Sequence, residues 1–266
     1  MRWFPAALVA ALALALTFLT LPVLAIFLDR PPADLLAALG EPGALDALWL
    51  SLQTSAAAML VIVVVGTPTA YLLASRRFRG RAVVVTLLEL PLVLPPAVAG
   101  IALLAALGPS GILGSTLEDA GVQLTFETAG VVVALTFVAS PYYVRQAQSA
   151  FAAIDPSWLE ASRTLGMSEA RTFVRVAVPA AGGGLATGGA LALGRALGEF
   201  GATLMFAGSL AGVTQTAPLA IYERFASDFD AALALSAVLV AVSAAILLGV
   251  KLIGGWDALG DAARRG

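Results

Sequence analysis

The sequence predicts an all-α integral membrane protein with six transmembrane helices. Of its 266 residues, 60% are hydrophobic and 12% are charged, and the mean hydropathy is +0.94, so the chain is far more apolar than a soluble domain. Apolar blocks of about 20 residues, the length that spans a ~30 Å hydrocarbon layer, recur along the chain. They lie at residues 5–28, 47–74, 82–107, 128–147, 182–207 and 231–253.

The first block has an alternative interpretation as a signal peptide. Its apolar run is longer than the h-region of a signal peptide, and Leu28-Asp29-Arg30 at its end lacks a small-residue cleavage pattern. We therefore expect it to be retained as an anchor, which places both termini on the same side of the membrane.

The basic residues are distributed unequally between the two sides of this arrangement. Of 15 basic residues, Arg195 lies within an apolar block, only Arg30 and Arg224 fall on one side, and 12 fall on the other. The latter are Arg2, Arg76, Arg77, Arg79, Arg81, Arg145, Arg163, Arg171, Arg175, Lys251, Arg264 and Arg265. By the positive-inside rule this side is cytoplasmic, so both termini and the loop 155–179 are predicted to be cytoplasmic.

The opposite loops are acidic, as Glu41, Glu118 and Glu223 illustrate. Their carboxylates are candidate contacts for a partner protein, or simply solvated surface.

The third block contains Pro91, Pro95 and Pro96, which remove three backbone donors and predict a break or kink. Irregular backbone at membrane depth persists only where protein or a water-filled cavity satisfies its polar groups. Both a pore-lining role and a plain packing kink fit this pattern. Glu89, just before the prolines, is expected near the cytoplasmic end and facing water.

The fifth block combines glycines with an ionisable pair. Gly184 and Gly188 are four residues apart, as are Gly194 and Gly198, a spacing that favours close helix packing. Arg195 and Glu199 are also four apart and are expected on one helix face. Either they neutralise each other and hold helices in register, or Arg195 is a cationic group beside the path of an anion.

Residues 155–179 form a polar interruption between apolar blocks. Asp155 is expected to cap a helix that has Pro156 at its first position and ends at Gly166 in the left-handed conformation. Ser168 is expected to cap a second helix that stops before Pro179. Such a helical hairpin is typical of a surface that binds another protein.

The residues of this hairpin resemble the EAA loop of ABC importer permeases. The matching pattern is Glu160-Ala161-Ser162, then Gly166, then Val176 and Val178-Pro179. Ser162 departs from the usual Ala, and the two valines replace Ile and Leu. The resemblance implies that this loop docks into an ATPase subunit, with Glu160 near the first coupling helix and Gly166 at the turn. Ala161 and Leu165 would share an apolar face towards the ATPase groove.

Further stretches look like those of molybdate transport permeases. They are residues 90–96, 108–114, 194–208 and 214–222. Ser209 departs from the Asn often found in that family. The resemblance implies a type I ABC importer permease fold in one transmembrane domain, 1–266, with core helices over 47–253. It also implies molybdate import by ATP-driven alternating access, with tungstate or sulfate as alternative oxyanions.

The same resemblance implies an assembly in the cytoplasmic membrane. This assembly contains a homodimer of the chain, two cytoplasmic ATPase subunits that hold ATP and Mg²⁺, an external oxyanion-binding protein and membrane lipid, without nucleic acid. The candidate residues of the translocation pathway or gate are Arg195, Glu199, Thr203, Pro95 and Pro96.

The composition argues against chemistry within the chain itself. With no Cys and no His, it lacks thiolate and imidazole ligands, and we expect no metal or cofactor site. Its only lysine, Lys251, is not part of a G-x-x-x-x-G-K-[ST] loop, so ATP hydrolysis is expected on a partner and no enzymatic activity here. An ion-gradient-driven secondary transporter is the alternative from another class.

Overall fold

The computed structural model of the chain describes residues 3–28, 33, 37 and 39–264, with side chains for all but residues 251 and 253–264. Part of the charge pattern discussed above lies outside these described residues, namely Arg2, Arg30 and Arg265, together with the side chains of Lys251 and Arg264. The described helices are α1 (Trp3–Leu28), α2 (Ala44–Ser75), α3 (Arg81–Val93), α4 (Pro96–Leu107), α5 (Gly114–Asp119), α6 (Thr128–Ala152), α7 (Pro156–Thr164), α8 (Glu169–Thr172), a π-helix (Phe173–Ala177), α9 (Val178–Ala180), α10 (Gly182–Leu197), α11 (Gly201–Ala207), α12 (Ala217–Ser227) and α13 (Phe229–Arg264).

Four of these helices are long and apolar enough to cross a membrane: α1, α2, α6 and the part of α13 at Phe229–Val250. Two further helix pairs pass the same test together but are sharply bent. The chain bends by 119° between α3 and α4, and by 74° between Glu169–Ala180 and α10. The predicted six spans are reached when each bent pair is counted as one span.

The break in the third block confirms the prediction from its prolines. Pro91 stays inside α3, while the helix ends at Val93 and α4 begins at Pro96. Pro96 occupies the first position of α4, where its missing N–H costs no helical hydrogen bond. Leu94 and Pro95 form the extended link between the two helices.

The fifth block differs from its prediction as one continuous span over 182–207. Helix α10 ends at Leu197, and a new helix, α11, starts only at Gly201. Gly198 and Gly201 flank the interruption, and glycine has a low intrinsic helix propensity. The backbone therefore breaks within the block. Arg195 and Glu199 are the only charged residues near this break.

The core is built where α2 and α10 both pack against α6 and also contact each other. Tyr143 of α6 is 2% exposed, and its hydroxyl lies 2.7 Å from the hydroxyl of Thr67 in α2. A Cβ atom on Gly184 would lie 2.3 Å from the Cβ of Ala150, and one on Gly188 would lie 3.1 Å from the Cβ of Gln146. The predicted close packing is confirmed at these two glycines, and their partner is α6. At Gly194 an added Cβ would be in ordinary contact with Leu247 at 3.7 Å, and at Gly198 it would meet no other described helix within 4 Å, so the prediction is wrong for that pair.

Helix α1 has no buried residue and lies outside this core. Where its side chains are described, helix α13 has buried residues only near its beginning, where Leu235 packs with Ala44 and Leu48 of α2 and with Ala217 of α12. The central helices thus position the hairpin at one end of α6 and the broken helices beside α6.

Candidate functional site

The first candidate site is the hairpin of residues 155–180, which begins as the sequence predicts. The Asp155 carboxylate accepts a hydrogen bond from the backbone N–H of Ser157 at 2.9 Å and caps α7. Pro156 occupies the first helical position. Hydrogen bonds from the Ser157 backbone and hydroxyl hold the pKa of the Asp155 carboxyl below its usual range.

The turn between α7 and α8 also follows the prediction. Gly166 has φ of 82°, the left-handed conformation that glycine adopts without a Cβ clash. The Ser168 hydroxyl accepts a hydrogen bond from the backbone N–H of Arg171 at 3.4 Å and caps α8.

An ion pair that sequence analysis missed closes this turn. The Arg163 Nε atom donates to Glu169 Oε1 at 2.9 Å, and its Nη2 donates to Oε2 at 3.2 Å. These hydrogen bonds lower the pKa of the Glu169 carboxyl. The two residues are six apart and in different helices, so helical spacing does not reveal the pair.

The predicted end of the second helix before Pro179 is wrong. After α8 the chain winds into the π-helix Phe173–Ala177, and Pro179 lies inside the following helical turn, Val178–Ala180. The N–H of Val178 bonds to the carbonyl of Phe173, five residues earlier. This wider turn accommodates a proline that would clash with a regular α-helical turn. The chain bends instead at Ala181, before α10.

The hairpin has an internal seam and an exposed apolar surface. Ser162 is 5% exposed, and its hydroxyl lies 2.7 Å from the Thr172 hydroxyl, so it joins α7 to α8. In contrast, Glu160 and Ala161 are exposed, as are the large apolar side chains of Trp158 and Leu165, the latter at 83%. The hydroxyl that distinguishes Ser162 from the usual Ala therefore makes a contact inside the hairpin.

The second candidate site is the break between α10 and α11. Arg195 and Glu199 form an ion pair, with Glu199 1% exposed and the Arg195 side chain 24% exposed. The other carboxylate oxygen of Glu199 accepts a hydrogen bond from the backbone N–H of Ala202 at 2.7 Å. The expected pair is present, but Glu199 lies in the break and not on the face of a continuous helix.

The two broken helices begin side by side. A Cβ atom on Gly201 would lie 2.8 Å from the Cβ of Pro96, and one on Gly100 would lie 2.6 Å from the Ala202 carbonyl oxygen. Helices α4 and α11 therefore run in close contact from a common starting point. This contact brings the proline break and the Glu199 break together, which no local feature of the sequence indicates.

The other candidate pathway residues differ in exposure. Pro95 and Pro96 are exposed. Thr203 is fully buried, and its hydroxyl has no hydrogen-bond partner among the described residues. Among the three polar candidates, only Arg195 has a side chain that is partly accessible.

Two further ion pairs involve residues discussed above. The Glu89 carboxylate lies 3.7 Å from Arg145 Nε, and both side chains are more than a third exposed. Arg224 pairs with Glu41 and donates to the Pro42 carbonyl at 3.0 Å. Glu41 is thus engaged within the chain.

Spanning helices that are bent or broken at membrane depth, together with a capped hairpin that exposes apolar side chains, define the membrane-spanning subunit of a transporter. The chain belongs to the family described as binding-protein-dependent transport system inner membrane component, which matches residues 64–256. It is therefore a multi-pass membrane protein of a transport system.

Curated relatives cover most of the chain. The molybdenum transport system permease protein ModB of Mycobacterium tuberculosis is 43% identical over 237 residues, covering 88% of this chain and 89% of the relative. A probable molybdenum ABC transporter permease of Haloferax volcanii is 38% identical over 240 residues, covering 90% and 86%. The sulfate transport system permease CysT of Synechocystis is 33% identical over 216 residues, covering 81% and 76%.

Solved structures show the same fold. A bacterial ABC transporter that imports alginate superposes with a TM-score of 0.75 at 18% identity, covering 95% of each chain. The MetNI methionine ABC transporter gives 0.58 at 17% identity, covering 81% of this chain and 94% of the other. The predicted fold class, that of a type I ABC importer permease, is confirmed.

Proposed function

We propose that this chain is the permease subunit of a binding-protein-dependent ABC importer that moves molybdate across the cytoplasmic membrane. The observation that carries the proposal is the 43% identity with a molybdenum transport permease over 88% of the chain. Sulfate permeases match at lower identity, 33% over 81% of the chain. Sulfate and tungstate, which are oxyanions like molybdate, are therefore the alternative substrates to test.

The proposed assembly is a homodimer of this chain with two ATPase subunits and an external oxyanion-binding protein, surrounded by membrane lipid. The family description supports dependence on a binding protein. The exposed Trp158 and Leu165 support docking of the hairpin into a groove of the ATPase, because large apolar side chains at a helical tip are suited to such a groove. ATP and Mg²⁺ are held by the ATPase, and this chain contributes no hydrolytic step.

The proposed orientation has both termini and the hairpin in the cytoplasm. It rests on the excess of arginines at the hairpin end, including Arg76, Arg77 and Arg79 between α2 and α3. In this orientation, Glu160, Ala161, Leu165 and Gly166 face the compartment that contains ATP.

In the proposed mechanism, closure of the ATPase pair displaces the hairpin, and the spanning helices respond by alternating access. Arg195 supplies positive charge beside the pathway because its side chain is partly accessible. Glu199 and Thr203 are buried and stabilise the position of Arg195. Pro95 and Pro96 lie exposed at the break that packs against Gly201, so they line the same region.

The proposal is tested by uptake in cells that carry the permease with its ATPase and binding protein. We expect labelled molybdate to accumulate, and unlabelled molybdate to compete better than tungstate or sulfate. Accumulation should stop when ATP is depleted and continue when the proton gradient is collapsed. If sulfate competes more strongly than molybdate, sulfate is the substrate. Uptake that survives ATP depletion but needs the proton gradient would indicate a secondary transporter.

A further inference from the structure

Three aromatic rings meet where the hairpin joins the spanning helices. Tyr71 lies near the end of α2, Phe151 near the end of α6, and Phe173 at the first position of the π-helix. The ring centroid of Tyr71 lies 5.3 Å from that of Phe151 and 4.8 Å from that of Phe173, and Phe151 and Phe173 are 6.2 Å apart. We call these three residues the aromatic cluster. Such separations are typical of rings in attractive contact.

On the hairpin side, the cluster is connected to α7. Phe173 directly follows Thr172, and the Thr172 hydroxyl lies 2.7 Å from the hydroxyl of Ser162 in α7, with both residues buried. A displacement of α7 therefore moves Phe173. Single π-turns occur often at functional positions within helices, and this one sits where the hairpin enters the core.

On the membrane side, the cluster touches two helices that are tied together. One turn deeper, the Thr67 and Tyr143 hydroxyls are 2.7 Å apart, so α2 and α6 are hydrogen-bonded to each other. A Cβ atom on Gly66 would lie 2.9 Å from the Tyr143 ring, which shows how closely the two helices approach. Displacement at the cluster thus acts on both helices together.

The covalent route from the hairpin into the membrane is different. The chain continues through Ala181 into α10, and it bends by 74° at this point. The hairpin and α10 therefore point in different directions. The side-chain contact of Phe173 with α2 and α6 is a second, non-covalent connection from the hairpin into the core.

We propose that the aromatic cluster transmits the movement of the hairpin to α2 and α6, with Tyr71 and Phe173 as positioning residues for transport. This inference rests on the proposed importer function. The ring of Tyr71 carries the contact, since its buried hydroxyl has no hydrogen-bond partner among the described residues. Removal of the hydroxyl is therefore neutral, and removal of the ring uncouples transport.

The test uses the whole complex of permease, ATPase and loaded binding protein in lipid nanodiscs and in proteoliposomes. The variants are Phe173→Ala, Tyr71→Ala, their combination, and Tyr71→Phe. Phe78→Ala is the matched control, because Phe78 lies in the loop after α2, is 41% exposed and makes no aromatic contact among the described residues. The readouts are retained ATPase subunits, basal ATP hydrolysis, its stimulation by loaded binding protein, and uptake.

We expect Phe173→Ala and Tyr71→Ala to retain the ATPase subunits and basal hydrolysis. Stimulation and uptake should fall about tenfold, a size typical of coupling between sites. The double variant should be no worse than either single variant, because the two rings act as one contact. Tyr71→Phe and Phe78→Ala should behave like the wild type.

Normal stimulation and uptake in Phe173→Ala would overturn the inference, as would loss of the ATPase subunits, which would assign the residue to assembly. Multiplying losses in the double variant would also contradict it. Where Phe173→Ala does not fold, Phe173→Leu keeps the bulk without the ring and should show a partial loss of stimulation. Wild-type transport of sulfate would change the substrate and leave this inference intact, whereas wild-type uptake without ATP would remove the proposed function itself.

Discussion

The carboxylate of Glu199 accepts a hydrogen bond at 2.7 Å from the backbone N–H of Ala202. Its second oxygen pairs with Arg195 on the preceding helix, so one buried side chain joins both sides of the break between α10 and α11. Helix α11 in turn packs against α4 through Gly100 and Gly201. This carboxylate therefore links α10 to α11, which in turn packs against α4.

Replacement of Glu199 by Gln should destabilise the protein mainly through the loss of charge. The amide oxygen still caps α11, but Arg195 loses its counter-ion. Breaking a buried ion pair costs about 3–5 kcal/mol, and the cost here should be smaller because the Arg195 side chain is 24% exposed. Thermal unfolding of the purified permease measures the change.

The matched double variant Arg195→Gln, Glu199→Gln leaves no uncompensated charge. It should unfold at a higher temperature than Glu199→Gln alone. If the two substitutions destabilise additively instead, the pair does not act as a unit.

Replacement of Gly100 by Ala should separate α4 from α11. The added Cβ would lie 2.6 Å from both the Ala202 carbonyl oxygen and the Met205 Cβ, and overpacking of this kind typically costs about 1–3 kcal/mol. Gly189→Ala in α10 is the control, because nothing lies within 4 Å of its added Cβ. Equal unfolding temperatures for the two variants would argue against the close contact.

Replacement of Gly166 by Val should abolish ATP-coupled uptake while the protein still inserts into the membrane. The left-handed conformation costs an L-residue about 1–2 kcal/mol, and a β-branched side chain is especially unfavourable at a φ of 82°. The turn that orients α7 towards the ATPase is then lost. Uptake and membrane content are measured together, with Gly183→Ala as the control at an uncrowded glycine. Normal uptake by Gly166→Val would refute the docking assignment.

Acid should loosen the hairpin through Asp155. Its pKa is lower in the folded hairpin than in the unfolded chain, because the Ser157 N–H stabilises the carboxylate. The stabilisation is therefore complete above the unfolded value of about 3.9 and disappears as the pH falls through the lower folded value. Asn also caps helices and does not titrate here.

The fluorescence of Trp158 in α7 reports this transition when the other three tryptophans are replaced by Phe. The wild-type hairpin should change its emission on acidification, and Asp155→Asn should reduce the change. The part that remains is expected from Glu169, whose pKa is lowered by Arg163. An identical acid transition in both proteins would exclude a role for the Asp155 charge.

The hairpin was the most predictable part of the molecule. The caps at Asp155 and Ser168 and the left-handed turn at Gly166 are interactions of each residue with backbone only a few positions away. Residue type and short spacing are sufficient to define such interactions. Pro179 was the exception, because the π-helix before it accommodates the proline and the helix continues to Ala180.

The broken helices were only partly predictable. Pro95 and Pro96 indicate a break by themselves, because proline lacks the donor that a helix needs. Nothing near Glu199 indicates that its carboxylate caps a new helix, or that this helix lies against Pro96 and Gly100. The contacts of α11 with Pro96 and Gly100 join residues about 100 positions apart in the sequence, and sequence spacing carries no information about them.

The sequence by itself determined that the chain spans a membrane, that most basic residues lie on one side, and that residues 155–180 form a hairpin. Hydropathy, charge and capping are sufficient for this because they act locally along the chain. Only the tertiary structure decided that α4 and α11 start together, and that Tyr71, Phe151 and Phe173 form one cluster. The physical reason is that packing depends on which surfaces meet in three dimensions, and each of these contacts needs a partner contributed by a distant segment.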